Sequence, residues 1–308
     1  MAFFARSEVS PSITYFPYSY ARCFNLIMSS NLANQDSLTS PNTQHPTSLP
    51  LASRMKQYEE SYDFTLAPSS TIILRLDGHN FSRFTSNFAR PFDQRIHDAM
   101  IATCSDLLKF FPQASVAYTQ SDEITLVFPA GVGAFNERVQ KLASLAASYC
   151  SVRFGHHLTK FLEENPEPKV KDRALDAISF AHFDARFFAV PSLAEALNCL
   201  LWRCRGDAVR NAASAFARTM FSHKEISGKS TDEVKEMMGQ KLGVSWEERV
   251  PRWAVEGCLV KREKFEHSGI NQKTGQTEVT WRTRTRVEER GVREWSEKGL
   301  RLVEEKFW

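Results

Sequence analysis

Two short segments of the chain place acidic side chains at the ends of apolar, β-prone runs. Asp77 follows the run Thr71–Leu76, and Asp122 with Glu123 precedes the run Ile124–Phe128. Apolar runs of this length, with a single Arg in the first, are typical of buried strands. Carboxylates at a strand end and at a hairpin turn can converge on a divalent metal ion, so these segments constrain both the fold and the chemistry.

The stretch between the two acidic segments predicts how they are connected. Apolar residues recur at helical spacing from Ile96 to Leu108, and Pro91 stands at a position typical of the first turn of a helix. Val116–Tyr118 and Ile124–Phe128 then predict a β-hairpin. The resulting β-α-β-β unit is the layout of the palm of polymerases and nucleotide cyclases. We therefore predict an α+β fold: a palm-like antiparallel sheet with flanking helices, plus a C-terminal helical and hairpin region.

Local patterns divide the chain into three parts. Residues 51–192 are predicted to form the palm-like catalytic core, and residues 193–308 the C-terminal part of the same catalytic unit. Residues 1–50 are rich in Ser, Asn, Pro and Thr, which fits a mitochondrial transit peptide, a disordered extension or a start at Met28. Further elements are predicted as a short helix at 54–60, a long helix at 135–154, a strand at 178–190, a mostly helical region at 193–222, a helix from the capping box at 230–233 to 242, and a hairpin of 257–264 and 278–287 around a turn at 273–275.

Composition indicates an ordinary globular protein without identifying its partner. Of 308 residues, 42% are hydrophobic and 24% charged, and no apolar stretch is long enough to span a bilayer. The six cysteines form no Cys-x-x-Cys pair, so we expect reduced thiols, no zinc site and an intracellular protein, mitochondrial or cytoplasmic. The net charge of +3 is too small to demonstrate a nucleic-acid partner. The basic segments 261–264 and 281–286 are either solvated surface or phosphate contacts, and Trp281 beside alternating Arg favours the second.

Asp77, Gly78 and Asp122 form the candidate metal site. Magnesium prefers oxygen ligands and commonly takes one or two protein carboxylates together with substrate phosphates, and a glycine lets the backbone approach the ion closely. An Asp-Gly pair can also simply close a strand, and adjacent acids such as Asp122 and Glu123 in a hairpin turn are usually only solvated. Two strand-end acids separated by one helix can lie on neighbouring strands, which favours the metal interpretation.

Groups near these acids are candidates for binding phosphate. The backbone amides of the turn at His79, Asn80 and Ser82 could cradle a phosphate group. Arg138 and Lys141 lie one helical turn apart and could grip a triphosphate, although a plain polar helix face is the alternative.

A third polar block follows in the C-terminal part. Helical spacing places Asp207, Arg210 and Asn211 near one face, and Ser222-His223-Lys224 is expected to end this helix. Ordinary caps and ion pairs are one interpretation, and contact with RNA is the other. The predicted RNA-binding residues are Arg203, Asp207, Arg210, Asn211, His223 and Lys224.

Three motifs together resemble one known family. They are Arg75-Leu-Asp77-Gly78-x-x-Phe81-x-Arg83-Phe84, Gln120-Ser121-Asp122-Glu123, and Phe183-Asp184-Ala185-Arg186 with Pro191-Ser192. In order and spacing they resemble the tRNA-His guanylyltransferase superfamily from about Tyr58 to Lys264. The resemblance implies a metal-dependent nucleotidyltransferase that adds nucleotides, G foremost, to the 5′ end of tRNA in the 3′-to-5′ direction. It also implies a homotetramer, and no membrane association is expected.

The resemblance also assigns roles to individual residues. It implies that Asp77 and Asp122, with the Gly78 carbonyl, ligate two magnesium ions, and that Glu123 supports the catalytic site. GTP is the expected substrate, and ATP is a second candidate. The predicted nucleotide-binding residues are Gly78, His79, Asn80, Phe81, Ser121, Arg138 and Lys141.

The third block departs from the eukaryotic pattern of that family. The His-Ile-Asn-Asn motif of the eukaryotic enzymes falls, without gaps, on Ala208-Val209-Arg210-Asn211, so Ala208 replaces the His. With Phe221-Ser-His-Lys-Glu225, this block resembles the bacterial and archaeal guanylyltransferase-like proteins, which tend toward templated repair of tRNA 5′ ends. Arg90 stands before Pro91 where the eukaryotic enzymes often have Lys, and the two are not interchangeable at a phosphate.

Two other function classes remain open. A palm-type nucleotide cyclase would share the carboxylates, but no Gly-Gly-x-Glu-Phe signature occurs at the hairpin. A non-catalytic RNA-binding relative would share the fold. The intact Asp77, Asp122 and Glu123 argue against it, because unused clustered carboxylates repel one another.

Overall fold

The computed structural model describes residues 49–166, 171–270, 272 and 275–308, which fall into two units. The first unit covers Met1–Glu60, and its described part is the helix α1 (Leu51–Glu60) preceded by two residues. The transit-peptide prediction falls on residues that are almost all outside the described part. The second unit covers Ser61–Trp308 and contains every element discussed below.

The second unit alternates strands and helices in the predicted order. Its strands are β1 (Thr71–Gly78), β2 (Val116–Gln120), β3 (Glu123–Phe128), β4 (Phe183–Val190), β5 (Cys258–Ile270) and β6 (Thr277–Glu288). Its helices are α2 (Phe81–Phe84), α3 (Gln94–Phe110), α4 (Val139–Glu164), α5 (Lys171–Ile178), α6 (Leu193–Leu201), α7 (Ala208–Ala217), α8 (His223–Ile226), α9 (Thr231–Leu242), α10 (Arg252–Glu256) and α11 (Glu297–Glu304). A π-helical segment, Trp202–Asp207, joins α6 to α7.

The six described strands form one antiparallel sheet in the order β4-β1-β3-β2-β5-β6. The predicted β-α-β-β unit is present as β1, α3, β2 and β3, so the α+β prediction is confirmed. β5 pairs with β2 over three residues only, whereas it pairs with β6 along its whole length. The C-terminal hairpin therefore extends well beyond the rest of the sheet.

The apolar run in β1 is continuous because both of its faces are buried. Ile72, Leu74 and Leu76 belong to a core with α3 and α4, whereas Ile73 points to the other face and packs in a core with α6 and α11. Alternate residues of a strand face opposite sides, so a strand between two helical layers needs apolar residues at nearly every position. A third, smaller core joins α7, α9 and α10.

The structure corrects several predicted boundaries. Pro91 does not open a helix: α3 begins at Gln94, and its N-cap is Asp93, whose carboxylate accepts a hydrogen bond from the Arg95 amide at 3.0 Å. The predicted helix at 135–154 is displaced to α4, because residues 135–137 all have positive φ angles that an α-helix cannot include. The predicted strand at 178–190 begins only at Phe183.

The C-terminal predictions are confirmed in part. The capping box of Ser230 and Glu233 opens α9, which ends at Leu242 as expected. Ser222 does not end a helix but begins one, because it is the N-cap of α8. The predicted hairpin is present as β5 and β6, although positions 273 and 274 of its turn lie outside the described residues.

Part of the basic segment 261–264 has a structural role instead of the suggested phosphate contact. Lys261 is buried, and its ammonium group donates to the carbonyls of Leu302 (2.6 Å) and Glu305 near the end of α11. The partly buried Arg262 donates in the same way to the carbonyls of Leu108, Phe111 and Ala114 at the end of α3. The carbonyls of a last helical turn lack intrahelical partners, so these cations stabilise two helix ends.

Candidate active site

Three carboxylates lie side by side across the sheet. Asp77 near the end of β1 is directly opposite Glu123 on β3 and Asp184 on β4. Directly paired residues of antiparallel strands project from the same face with Cβ atoms about 4.5–5.5 Å apart. Asp184 stands in the third motif of the sequence, but its position beside Asp77 was not predicted, because the pairing of β4 with β1 joins segments more than 100 residues apart.

The hairpin turn brings Asp122 to the same place. Ser121 adopts a left-handed φ of 55°, and the carbonyl of Asp122 accepts a hydrogen bond from the Gly78 amide at 3.0 Å. Burial raises the pKa of the Asp122 carboxyl, and the negative charge of Asp77 raises it further. The predicted convergence of Asp77 and Asp122 is therefore seen in the folded chain.

The donor set at this sheet end fits magnesium. Two carboxylates and the neighbouring Gly78 carbonyl offer only hard oxygen atoms, which suit this ion together with substrate phosphates. Among the residues that the structure describes, no group of three or more His, Cys, Asp or Glu side chains is arranged to hold a metal ion. A magnesium ion at this site would therefore take some of its oxygen ligands from substrate phosphates.

Glu123, which is partly buried, forms an ion pair with the buried Arg203. One terminal nitrogen of Arg203 contacts Glu123, and the other contacts Asp207. Arg203 is 6% exposed and Asp207 is also 6% exposed. The tentative prediction that these two residues bind RNA is at odds with this burial, because a phosphate backbone cannot reach them. Arg210, Asn211, His223 and Lys224 remain accessible.

The turn after β1 is less open to phosphate than the sequence suggests. The amide of Gly78 already donates a hydrogen bond to the carbonyl of Asp122, and the amide of His79 donates one to the carbonyl of His182. Phe81 is 3% exposed and belongs to a cluster of phenylalanine rings, so its side chain is mainly part of the core. Asn80 has a left-handed φ of 54° and donates to the His79 ring at 3.0 Å.

A cleft of about 450 Å³ opens beside Asp122. Its lining includes Ser121 and Asp122 on one side and Asn211 on another. The rings of His97 and Trp253, which also line it, stack with centroids 4.0 Å apart and an angle of 8° between planes. Burial lowers the pKa of His97 to about 4, so its imidazole is neutral near pH 7. Neither aromatic residue was singled out in the sequence, because each looks like an ordinary core residue.

Arg138 and Lys141 lie away from this cleft. The Ser151 hydroxyl of α4 accepts a hydrogen bond from the Phe183 amide, and Phe183 pairs with Gly78, so this part of α4 is level with the carboxylates. Arg138 precedes Ser151 by 13 positions, or about 20 Å along a helix. It instead pairs with Asp63 at 3.3 Å. The fold therefore places this pair away from the cleft of its own chain, and its role in triphosphate binding stays a prediction.

A family model matches the part of the chain that carries these carboxylates. The model described as tRNAHis guanylyltransferase matches residues 52–191. The chain belongs to the tRNA-His guanylyltransferase superfamily. It is 27% identical to the tRNA(His) guanylyltransferase of Saccharomyces cerevisiae over 66% of this chain and 87% of that one. It is 34% identical to an uncharacterised protein of Acanthamoeba polyphaga mimivirus over 72% and 80% of the two chains.

Solved structures agree with this membership in the guanylyltransferase superfamily. A bacterial tRNA(His) guanylyltransferase-like protein in complex with ATP superposes with a TM-score of 0.58 at 26% identity, over 75% of this chain and 92% of that one. The tRNA(His) guanylyltransferase of Saccharomyces cerevisiae shares the fold, with a TM-score of 0.54 over 66% of this chain and 90% of that one. The predicted resemblance and the predicted guanylyltransferase-like enzyme are thus confirmed. No helix in the described ranges is both long and apolar enough to cross a membrane.

Proposed function

We propose that this protein is a magnesium-dependent enzyme that adds nucleotides, G foremost, to the 5′ end of tRNA in the 3′-to-5′ direction. The observation that carries the proposal is the position of Asp77 and Asp122, which the Gly78–Asp122 hydrogen bond brings together beside a cleft of about 450 Å³. The guanylyltransferases named among its relatives support tRNA and GTP as substrates. Bacterial relatives in complex with ATP and GTP support a nucleoside triphosphate in the cleft.

The site residues divide the work between them. Asp77, Asp122 and the Gly78 carbonyl would hold the magnesium ions, which when bound activate a hydroxyl and stabilise the departing pyrophosphate. Ser121 borders the cleft where the triphosphate would enter. The stacked rings of His97 and Trp253 form an apolar wall that excludes water from one side of the nucleotide.

Arg138 and Lys141 fit the proposal if they serve another subunit. Along α4, Arg138 lies about 20 Å and Lys141 about 15 Å from the level of the carboxylates of their own chain, yet the family resemblance assigns them to triphosphate binding. A homotetramer, which the same resemblance implies, can bring this pair to the cleft of a neighbouring chain. We therefore place the basic pair in trans.

Templated repair is the proposed mode of nucleotide selection. Ala208 is 1% exposed on α7, where the eukaryotic motif has His, and a methyl group cannot donate the hydrogen bond that an imidazole can. Watson–Crick pairing with the acceptor 3′ strand would then select the nucleotide. Arg210, Asn211, His223 and Lys224 are the accessible candidates for tRNA contacts. The compartment in which this happens is proposed to be mitochondrial or cytoplasmic.

The decisive test offers the purified full chain two substrates in competition, with magnesium and each labelled nucleotide. One is a tRNA that lacks its first nucleotide, and the other is a full-length tRNA-His without a templating C. We expect faster addition to the truncated tRNA. Faster addition of G to the full-length tRNA-His would refute templated repair while leaving nucleotidyl transfer intact. No addition to either substrate would refute the proposed function.

A further inference from the structure

The π-helical segment Trp202–Asp207 carries an arginine into the active site. It interrupts an otherwise helical stretch from Leu193 to Ala217. A π-helical turn contains one more residue than an α-helical turn, and such turns occur frequently at functional sites. Here the widened turn holds Arg203, which is 6% exposed, against the face of the sheet that carries Asp77 and Glu123.

Both terminal nitrogens of Arg203 contact carboxylates. One contacts Glu123 and the other contacts Asp207, whose second oxygen accepts from Arg210 at 2.6 Å. The Arg203 guanidinium also lies 5.0 Å from the centre of the Trp202 ring. A planar guanidinium with two charged partners is fixed in position, and Lys could not bridge them in the same way.

The acids around this arginine would repel one another without a cation. Asp77 is directly opposite both Glu123 and Asp184 on the sheet, and the Asp122 turn is hydrogen bonded to the residue after Asp77. Like charges directly opposite one another destabilise a sheet. Among the described residues, the exposed Arg186 contacts Asp184 at 3.6 Å, and the buried Arg203 contacts the group through Glu123.

We propose that Arg203 is the built-in counter-charge of the catalytic carboxylates. It holds Glu123 in a permanent ion pair, so that Asp77 and Asp122 alone remain to bind metal ions, and it keeps the acidic sheet end folded before metal and nucleotide arrive. Arg203 is thus a positioning residue that acts through Glu123. The inference rests on the proposed function in assigning metal to Asp77 and Asp122.

A double-mutant cycle in the full chain tests this role through the melting temperature. The variants are Arg203→Met, Glu123→Gln and the double substitution, each measured with chelator and with excess magnesium chloride. With chelator, Arg203→Met should lower the melting temperature by roughly 6–12 °C, because it removes the cation that contacts the partly buried Glu123 and one of the two that contact the buried Asp207. The double variant should recover at least half of that loss, and magnesium should raise the melting temperature of Arg203→Met by about 3 °C more than that of the wild type.

Arg153→Met is the matched control. Arg153 pairs with Asp106 at 2.6 Å in a partly buried position outside the active site, so magnesium should not relieve its loss. Equal magnesium effects in the two Met variants, or additive losses in the double variant, would overturn the proposal. If Arg203→Met does not fold, Glu123→Gln in that background must restore folding, and failure to do so also overturns it. The cycle needs no turnover, so its outcome is independent of the tRNA assay that tests the proposed function.

Discussion

Replacing Gly78, the neighbour of Asp77, by Ala should lower the free energy of unfolding of the protein. A Cβ at this position would lie 2.3, 2.6 and 2.7 Å from three atoms of the Phe81 ring. That ring cannot move freely, because its centre lies 4.8 Å from the ring of Phe84, 5.6 Å from that of Phe154 and 5.0 Å from that of Phe183. Overpacking of this kind costs about 1–3 kcal/mol of the free energy of unfolding.

Urea denaturation of the wild type and of Gly78→Ala measures this difference in the free energy of unfolding directly. Gly239→Ala is the control, because Gly239 lies inside α9 with nothing within 4 Å of the added Cβ, and Ala favours a helix by about 1 kcal/mol over Gly. A double variant, Gly78→Ala with Phe81→Leu, should recover part of the loss because the smaller side chain leaves room. An unchanged midpoint in Gly78→Ala would show that the phenylalanine cluster does not constrain this strand end.

Two further predictions concern His97 and the basic pair. Burial lowers the pKa of His97 from 6.5 to about 4, so on acidification the unfolded chain takes up this proton at a higher pH than the folded chain does. The free energy of unfolding should therefore be at its full value above pH 6.5 and should fall by about 3 kcal/mol as the pH decreases to 4. His97→Gln should flatten this part of the stability curve measured by urea denaturation at several pH values, and an unchanged curve would refute the burial argument. For the basic pair, the Asp122→Asn variant and the Arg138→Ala/Lys141→Ala double variant should each be inactive alone. When the two variants are mixed under conditions that let subunits exchange between oligomers, the mixed oligomers should regain nucleotide addition. Absence of recovery in verified mixed oligomers would exclude the proposed action in trans.

The position of the candidate metal site at one end of the sheet was predictable because its signals are local. Asp77 terminates a strand, and Asp122 sits in a two-residue turn, so periodicity and turn chemistry locate both acids within their own elements. The same local logic located the capping box at Ser230. Sequence patterns of this kind predict the local structure of a single segment, such as a strand end, a turn or a helix cap.

The remaining parts of the site depend on contacts that no local pattern reports. Asp184 joins the acidic row through the pairing of β4 with β1, and Arg203, in the π-helical turn, contacts Glu123, which lies 80 positions earlier in the chain. Arg138 was predicted on the helix itself. Instead it stands at the N-cap of α4, because positive φ angles at 135–137 delay the start of the helix. Tertiary contacts therefore decided which charged residues lie next to Asp77 and Glu123.

Nucleotide addition by Asp122→Asn in magnesium tests the central claim most directly. The substitution keeps the size of the side chain and removes the charge. The variant should therefore fold as well as the wild type, because losing the repulsion with the partly buried Asp77 should not lower its melting temperature. Loss of a ligand that stabilises developing charge costs several kcal/mol of the barrier, so addition to a truncated tRNA should fall by about 10²–10³-fold. Asp106→Asn, outside the site, is the control. A folded Asp122→Asn enzyme with turnover close to that of the wild type would contradict the metal-binding role of Asp122.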